Sequence, residues 1–541
     1  MLVVGAGPVG LTAALLLADL GVTVTVLERQ SSPSALPRAV HLDDEAVRVL
    51  HRVGISEAFL AGSRPATGLR LLDASHLVLA AFARDTGPGD NGFPLANMFH
   101  QPDLEALLLA RVEDHPLVTL RRGADVVRLE RVAGGAGLPV VVHALVAGSA
   151  AAFPTAAVLG CDGARSTVRD LVGITMQDLG LTERWLVVDA RTGQALDAWG
   201  GVEQVCDPAR AATFMRVVGD RYRWEFQLRD GESEADLEAL GRLLAPWTGR
   251  TDLGGLQLVR RATYTYRAAV ARRFSDGGDV FLLGDAPHLT PPFIGQGLGA
   301  GLRDAGNLAW KLAAVLVQRA PATLLTTYDG ERRPHAQALV ERAVLLGRAM
   351  TAGQARAARV RQAVLGVVAR VPVLRSAVAS PVSPRLRGLP RAPVRARSLR
   401  PGSLLPNPWV RIASGRTVRL DDVLDGVLGG VLGGVTDGVL GRVTDGVLGG
   451  GSGVLVGRVP DEALLTACRA RGTVVVRVLA AGQPVWAAGW VEVALVDPPG
   501  RLAPLLRDPA LRVQVRPDRV IAATGRDPHL GLIRNGGAAA R

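Results

Sequence analysis

The segment best placed to do chemistry is Gly284-Asp285-Ala286-Pro287-His288-Leu289-Thr290-Pro291-Pro292-Phe293-Ile294-Gly295-Gln296-Gly297. The apolar run Val280–Leu283 before it reads as a strand that delivers Asp285 at its carboxyl end. A carboxylate there can accept a hydrogen bond from a ligand hydroxyl, such as one on a ribityl chain. The proline pair and glycine-rich turn let backbone amides approach a flat heterocycle. A helix expected to begin between Gly299 and Asp304 adds positive potential beneath that ring.

A second constellation opens the chain. Leu2-Val3-Val4 reads as a short strand, followed by Gly5-Ala6-Gly7-Pro8-Val9-Gly10, a small-residue helix from Leu11 to Leu20, and a further strand, Val22–Leu27, ending in Glu28. Glycines in this context give a tight turn, close approach to a pyrophosphate and close helix–strand packing, while Glu28 can accept from ribose hydroxyls. The bland alternative is an ordinary α/β turn. The strand starts with the chain, so a trimmed or misassigned start is an open expectation. A third turn, Cys161-Asp162-Gly163-Ala164-Arg165-Ser166, follows the apolar Ala156–Leu159, with Ser166 as an expected helix cap. Alone it is only a strand–helix turn.

These residues need an α/β frame to position them. At 541 residues the chain calls for two or three domains, and 48% apolar content supports sizeable cores. We expect a dinucleotide-binding unit from 1–175 and 265–379, the latter with a helical extension in which Leu308, Leu312, Val315 and Leu316 share one apolar face. A strand-rich middle domain spans 176–264, a Pro/Arg-rich linker 380–401, and a small α/β domain 402–541 with a glycine-rich repeat loop at 425–453. In the middle domain a two-residue Gly219-Asp220 connection predicts a hairpin with Arg216 opposite Arg223 and Met215 opposite Trp224.

In order and spacing, the three glycine-containing motifs resemble those of the single-component FAD-dependent aromatic hydroxylases. Further likeness to the family lies in Leu36–Glu45 and Asn97–Glu105, and the phrases Pro37–Glu45, Phe99–Leu108, Trp224–Phe226 and Gly284–Leu312 resemble most the 3-(3-hydroxyphenyl)propionate hydroxylase group. The resemblance implies a Rossmann-like FAD-binding domain, an inserted β-sheet substrate domain and a C-terminal thioredoxin-like domain, whose closing hairpin Arg516–Ala522 resembles. It implies cofactor contacts at Gly5, Gly7, Pro8, Gly10, Glu28, Arg29, Arg38, Gln101, Val126, Asp162, Gly284, Asp285, Pro292, Gly295, Gln296 and Gly297, with the Gly295–Gly297 amides near the flavin carbonyl edge. For the substrate it suggests Arg216, Tyr222, Trp224 and Phe293. Arg216 could bind a carboxylate or belong to a solvent-facing Arg/Glu ladder. His288 could be a base for a phenol, or pack and support the cofactor.

The implied reaction is hydroxylation of a phenolic acid with O2 through a C4a-hydroperoxyflavin, the reductant being NADH or NADPH bound transiently, since no second nucleotide fingerprint occurs. The chemistry is then the cofactor's own. A polyketide-tailoring hydroxylase shares the same pattern. A halogenase lacks support without a Trp-x-Trp-x-Ile-Pro pattern, a reductase does not need the Pro-Pro turn, and a non-enzymatic flavin-binding protein stays as a third class. Cys161, Cys206 and Cys468 show neither CxxC nor zinc spacing, so we expect no metal. The net charge of +12 could signal nucleic acid, yet sixteen arginines without one acidic residue between Arg342 and Leu420 account for it, and the linker has no interleaved aromatics. We therefore expect neither nucleic acid nor membrane as partner, a cytoplasmic monomer or homodimer, and a C-terminal domain dispensable for chemistry.

Overall fold

Five parallel strands, in the spatial order Val280–Leu282, Val158–Gly160, Leu2–Val4, Val24–Glu28 and Val118–Arg122, form the sheet expected to hold a nucleotide, called the nucleotide sheet. The three inner strands are built mostly from Val and Leu, as strands buried on both faces require. The opening helix, Pro8–Ala18, starts on a proline and is buried nearly all round, so it carries little amphipathic pattern. The computed structural model describes residues 1–351 (apart from 35, 133–138, 195, 197–198, 230 and 233–236), residues 384–387, 389 and 399–425, and most of 452–526. The expected helical extension past 351, most of the linker and the glycine-rich repeat lie outside the described residues.

The second sheet, called the substrate sheet after the role expected for it, has eight strands, in the order His288–Leu289, Gln257–Ala271, Met176–Arg191, Arg221–Gln227, Ala212–Arg216, Val202–Val205, Gly68–Leu72 and Val78–Ala83. It is not confined to 176–264. Gly68–Leu72 joins in parallel with Val202–Val205, a pairing across more than a hundred residues that side-chain alternation cannot disclose. The expected hairpin forms, with Gly219 at φ 61 and the Arg221 N–H donating to the Val218 carbonyl at 3.2 Å. Its register differs by one residue. Val217 also donates to Arg221, at 2.9 Å, so Val218 is absorbed into the turn. Met215 then faces Arg223, Arg216 faces Tyr222, and Phe214 faces Trp224.

The C-terminal sheet has seven strands and a core of its own, centred on Leu455, Val476, Val493 and Val513. It is fastened to the rest by buried charge. Arg48 reaches both oxygens of Asp421 at 2.6 Å, while Arg519 donates to the same carboxylate at 3.1 Å. Arg516 grips Glu331 at 2.7 and 2.9 Å, and Lys311 adds a bond at 2.9 Å. Among the described residues no helix is long and apolar enough to cross a membrane.

Removing one partner of a buried pair costs about 3–5 kcal/mol, because the other charge stays buried. Asp421→Ala in the full chain should therefore lower the urea midpoint by a corresponding amount, and a loss within about 0.5 kcal/mol, the scale of an ordinary surface change, would refute the docking energetics. Glu331 adds a pH signature. Burial alone would raise its carboxyl, but Arg516 and Lys311 outweigh it and hold the group at about 2, against 4.5 when exposed. Its stabilisation is complete above pH 4.5 and is lost as pH falls towards 2. Stability should fall over that window more steeply in wild type than in Glu331→Gln.

Candidate functional site

All three motifs meet at the carboxyl edge of the nucleotide sheet. Val4 pairs with Leu27 on one side and with Gly160 on the other, and Gly160 pairs with Leu282. The turns that leave these strands thus stand side by side, where open α/β sheets bind ligands. Gly5, at φ 103, passes so near Cys161 that a Cβ would lie 2.5 Å from its carbonyl oxygen. A Cβ on Gly10 would lie 2.0 Å from the Gly5 carbonyl oxygen. Around Gly7 the space is open, with nothing within 4 Å of where a Cβ would be. A tight cradle with one open point over an uncapped helix start suits a pyrophosphate. Pro8 begins that helix.

Glu28 ends its strand as expected. Its two oxygens already accept from the Ala6 and Gln30 N–H groups, each at 2.8 Å, and so brace the glycine turn. Arg29 follows, exposed on the rim. Asp162 spends both oxygens within its own turn, on Ser166 at 2.6 Å and the Val168 N–H at 2.9 Å, while Ser166 caps the next helix through Arg169. Val126 is buried in a separate three-stranded sheet opposite Ala144. Gln101 holds chain rather than open space: its carbonyl oxygen accepts from Arg38 at 3.1 Å and Ala39 at 2.6 Å, and its amide donates to Glu105 at 2.7 Å. The Arg38 side chain is exposed.

Gly284 turns at φ 66 and delivers Asp285. The Asp285 side chain is open to the cleft, yet protein crowds it closely. That desolvation pushes its carboxyl up, against the opposing pull of His288 and Arg38. His288 itself is fully sealed. Its Nε2 lies 2.7 Å from Asp304, its ring stacks on Phe274, and its Nδ1 has no hydrogen-bond partner among the described residues. Burial without access to the cleft corrects the reading of His288 as a base.

The Pro291–Gly297 stretch forms a single 3-10 turn at Pro292–Ile294, closed by Gly295 at φ 61. The Gly295 N–H is taken by the Pro292 carbonyl at 2.8 Å. That leaves the amides at the uncapped start of the 20-residue helix Gly297–Leu316 to face a ligand. The Gln296 side chain is buried and accepts from Arg303 at 3.1 Å. Phe293 packs edge-on against Trp185, with centroids 5.6 Å apart, and its carbonyl accepts from Gln204 at 3.2 Å. His41 lies against the same turn, its Nδ1 3.2 Å from the Gly295 oxygen.

Above the turn, the inner face of the substrate sheet carries Asp189, Arg223, Glu225 and Arg260, all buried. Arg223 donates to Asp189 at 2.7 Å and to the Pro37 and Arg38 carbonyls at 2.6 and 2.7 Å. Burial opposes its charge, but Asp189 outweighs that and raises its pKa. Burial raises the Glu225 carboxyl and pushes the Tyr266 hydroxyl far up. Tyr222 and Trp224 lie on the opposite face, packed with Phe214, whose ring stacks on Trp247 of the helix Leu237–Thr248. Arg216 shares that face. The one-residue register difference is the cause, since it swaps the sides of every residue on one arm. Arg223, Asp189, Asp304 and His41 carry no motif of their own; only strand parity for the first two, and the quoted Leu36–Glu45 segment for His41, signalled them. Among the described residues no group of three or more His, Cys, Asp or Glu could hold a metal.

Comparison with known proteins agrees with this geometry. A family profile described as FAD binding domain matches residues 1–343. A 3-(3-hydroxy-phenyl)propionate/3-hydroxycinnamic acid hydroxylase of Mycobacterium avium (strain 104) is 36% identical over 448 residues, covering 78% of this chain and 74% of that protein. A probable NADH-specific resorcinol 4-hydroxylase of Rhodococcus jostii (strain RHA1) is 35% identical over 350 residues, 64% of this chain and 65% of its own length. In fold, the chain is similar to the flavin-dependent monooxygenase PieE, solved with FAD and substrate, at TM-score 0.77 and 23% identity over 98% of this chain and 97% of that one. It is similar also to aklavinone-11 hydroxylase, solved with FAD and aklavinone, at TM-score 0.75 and 23% identity over 98% of both.

The cradle geometry yields a direct test. Gly10→Val puts a branched side chain where even a Cβ meets the Gly5 carbonyl oxygen at 2.0 Å. The helix must shift off the phosphate position, and the purified variant should lose its yellow flavin absorbance while keeping its far-ultraviolet circular dichroism. Full FAD occupancy in that variant would contradict the assignment of the cradle.

Proposed function

We propose a substrate class and residue roles for a chain that belongs to the FAD-binding-domain family and, within it, to the FAD-dependent aromatic monooxygenases. The protein is an aromatic hydroxylase that uses FAD and a nicotinamide reductant. Its substrate, in our reading, is a phenol with a short acidic side chain. The observation that carries the reading is the meeting of Gly7, Glu28 and Asp285 along one sheet edge, beneath a polar inner face of the second sheet. The hydroxylase names of the relatives that span about three quarters of the chain support the substrate class.

When bound, FAD takes a hydride from NADH or NADPH and activates O2. The chain's own residues bind, orient and dry the site. Gly5, Gly7, Pro8 and Gly10 hold the pyrophosphate, and Glu28 accepts from the adenosine ribose, with Arg29 at the rim. Asp285 accepts from the ribityl chain. Pro292, Gly295 and the amides at Gln296 and Gly297 would line the flavin ring, where the dipole of the helix Gly297–Leu316 would favour negative charge. Gln101 acts through the Arg38–Ala39 backbone, which it fixes from one side while Arg223 fixes it from the other. Phe293 borders the substrate, and Asp162 and Val126 shape the site from within their own turn and sheet. We assign the C-terminal sheet to a thioredoxin-like arrangement. In support, its centre is parallel (Gly453–Val456, Val474–Leu479, Val491–Leu495) and is closed by the antiparallel pair Arg512–Val515 and Ile521–Gly525.

A panel of phenolic acids, assayed under 18O-labelled oxygen with NADH and NADPH, tests the reading. The productive substrate should speed NAD(P)H oxidation at least several-fold and gain one labelled oxygen beside its hydroxyl. In Arg38→Ala the exposed guanidinium near Asp285 is lost while the backbone stays tethered, so most FAD should remain. More NAD(P)H should then be consumed per product formed. Label arriving from water, or a variant as tightly coupled as wild type, would count against these roles.

A further inference from the structure

The strand His41–Asp43 sets an imidazole directly against the Pro291–Gly297 turn. His41 Nδ1 lies 3.2 Å from the Gly295 carbonyl oxygen. A carbonyl oxygen can only accept, so Nδ1 carries the hydrogen and the neutral ring keeps its lone pair on Nε2. The approach is close enough that a Cβ on Gly295 would stand 2.9 Å from Nδ1. Unlike the sealed His288, His41 is half-buried, and its Nε2 has no hydrogen-bond partner among the described residues. Two features thus coincide: a ring whose tautomer is set by the flavin-side turn, and a basic nitrogen left over on its far edge.

The surrounding charges favour a neutral ring. Arg84 faces it from beyond the strand Val78–Ala83, Arg303 from the helix Gly297–Leu316, and Asp43 from its own strand. The neighbouring strand Ala96–Met98 and the Pro291–Gly297 turn bring no charged side chain. Arg64, one strand further, spends its guanidinium on the carbonyls of Pro65, Gly200, Arg216 and Val217. Burial, then Arg84, hold the imidazole below its ordinary pKa, against Asp43 and the Gly295 carbonyl. The ring is a free base at neutral pH.

We propose that His41, through Nε2, accepts the proton of the substrate's phenolic hydroxyl; this rests on the aromatic-hydroxylase reading above. The O–H bond breaks, its electron pair stays on oxygen as phenolate, and an N–H bond forms on Nε2. No oxidant or reductant enters this step. The phenolate carries more electron density at the ring carbon beside the hydroxyl, where oxygen is inserted. Arg84, which disfavours the imidazolium, favours the phenolate for the same electrostatic reason. The proton returns to the product oxygen when the product leaves.

The test uses the full-length, FAD-loaded protein and two variants. His41→Asn keeps a donor for the Gly295 carbonyl and no base; His41→Gln places an amide nearer the Nε2 position. The first readout is optical: a nitrophenol whose phenolate absorbs in the visible is titrated against pH while bound. Wild type should bind it as phenolate at least one pH unit below its ionisation in free solution, and both variants should shrink that shift, leaving only what Arg84 contributes. The second readout is kcat/KM against pH. Wild type should show an acid limb that is absent from both variants, with activity about 100-fold lower, as for loss of a general base. Unchanged phenolate binding or a retained acid limb in a variant that still carries FAD would overturn the proposal. Were wild type to hydroxylate no phenol at all, the family-based reading would fail instead, and the proposal with it.

Discussion

A carboxylate sealed from water must find donors for its lone pairs, and Asp304 finds three. They are the Gly284 N–H at 3.1 Å, His288 Nε2 at 2.7 Å and Arg332 Nε at 2.8 Å. Each donor belongs to a different part of the molecule. Gly284 closes a strand of the nucleotide sheet and aims Asp285 into the cleft. His288 begins the short strand that pairs with Ala269 and Val270 of the substrate sheet. Arg332 lies on the helix Thr323–Thr351. Burial works against the charge, but Arg332 and His288 outweigh it and hold the carboxyl below its ordinary range. Such a charge is tolerable only while all its partners stay, so the two sheets and the helix Thr323–Thr351 share one anchor.

The second organising contact is the tether made by Arg223. It reaches from the substrate sheet to the Pro37 and Arg38 carbonyls while Asp189 neutralises it. Gln101 fixes the amides of Arg38 and Ala39 from the other side. The backbone that presents Arg38 is thereby clamped on both its donor and its acceptor groups, and only the Arg38 side chain is left to move. Because Arg223 is occupied in this way, it is a strut between the sheet and the Pro37–Arg38 segment and not a free cation for a ligand. Position in the sheet face, not residue type, sets that role.

What was legible in the sequence was what local rules control. Strand–turn–helix boundaries around Gly5–Gly10 and Gly284–Asp285 follow from glycine geometry and apolar runs, and the structure places them side by side. Sheet membership was not legible for Gly68–Leu72, whose partner lies far along the chain. The hairpin shows how a small error propagates. Gly219-Asp220 was a valid turn, but absorbing Val218 changed the register by one, and Arg216 moved from the face of Arg223 and Glu225 to the face of Tyr222 and Trp224. His288 looked chemical from its neighbours in sequence, yet burial and Asp304 make it structural. His41 is not legible from Leu36–Glu45, because nothing local shows which face of a three-residue strand meets a distant turn.

The helix Asp44–Arg52 joins these themes. Its cap, Asp43, accepts from the Ala46 N–H at 2.9 Å and pairs with Arg303 beside the glycine turn. Its other half ends in Arg48, held by Asp421, and His51, 2.8 Å from Asp422. Nine residues at 1.5 Å each make a rod roughly 14 Å long, stiff on this scale. One end is continuous with the strand that carries His41, and the other is locked into the C-terminal domain by charges that cannot be hydrated in place. No candidate catalytic residue lies beyond Pro401, yet the domain is not a passenger. Buried Asp421 and half-buried Asp422 fix the rod, the rod fixes the strand, and the strand fixes the imidazole against Gly295.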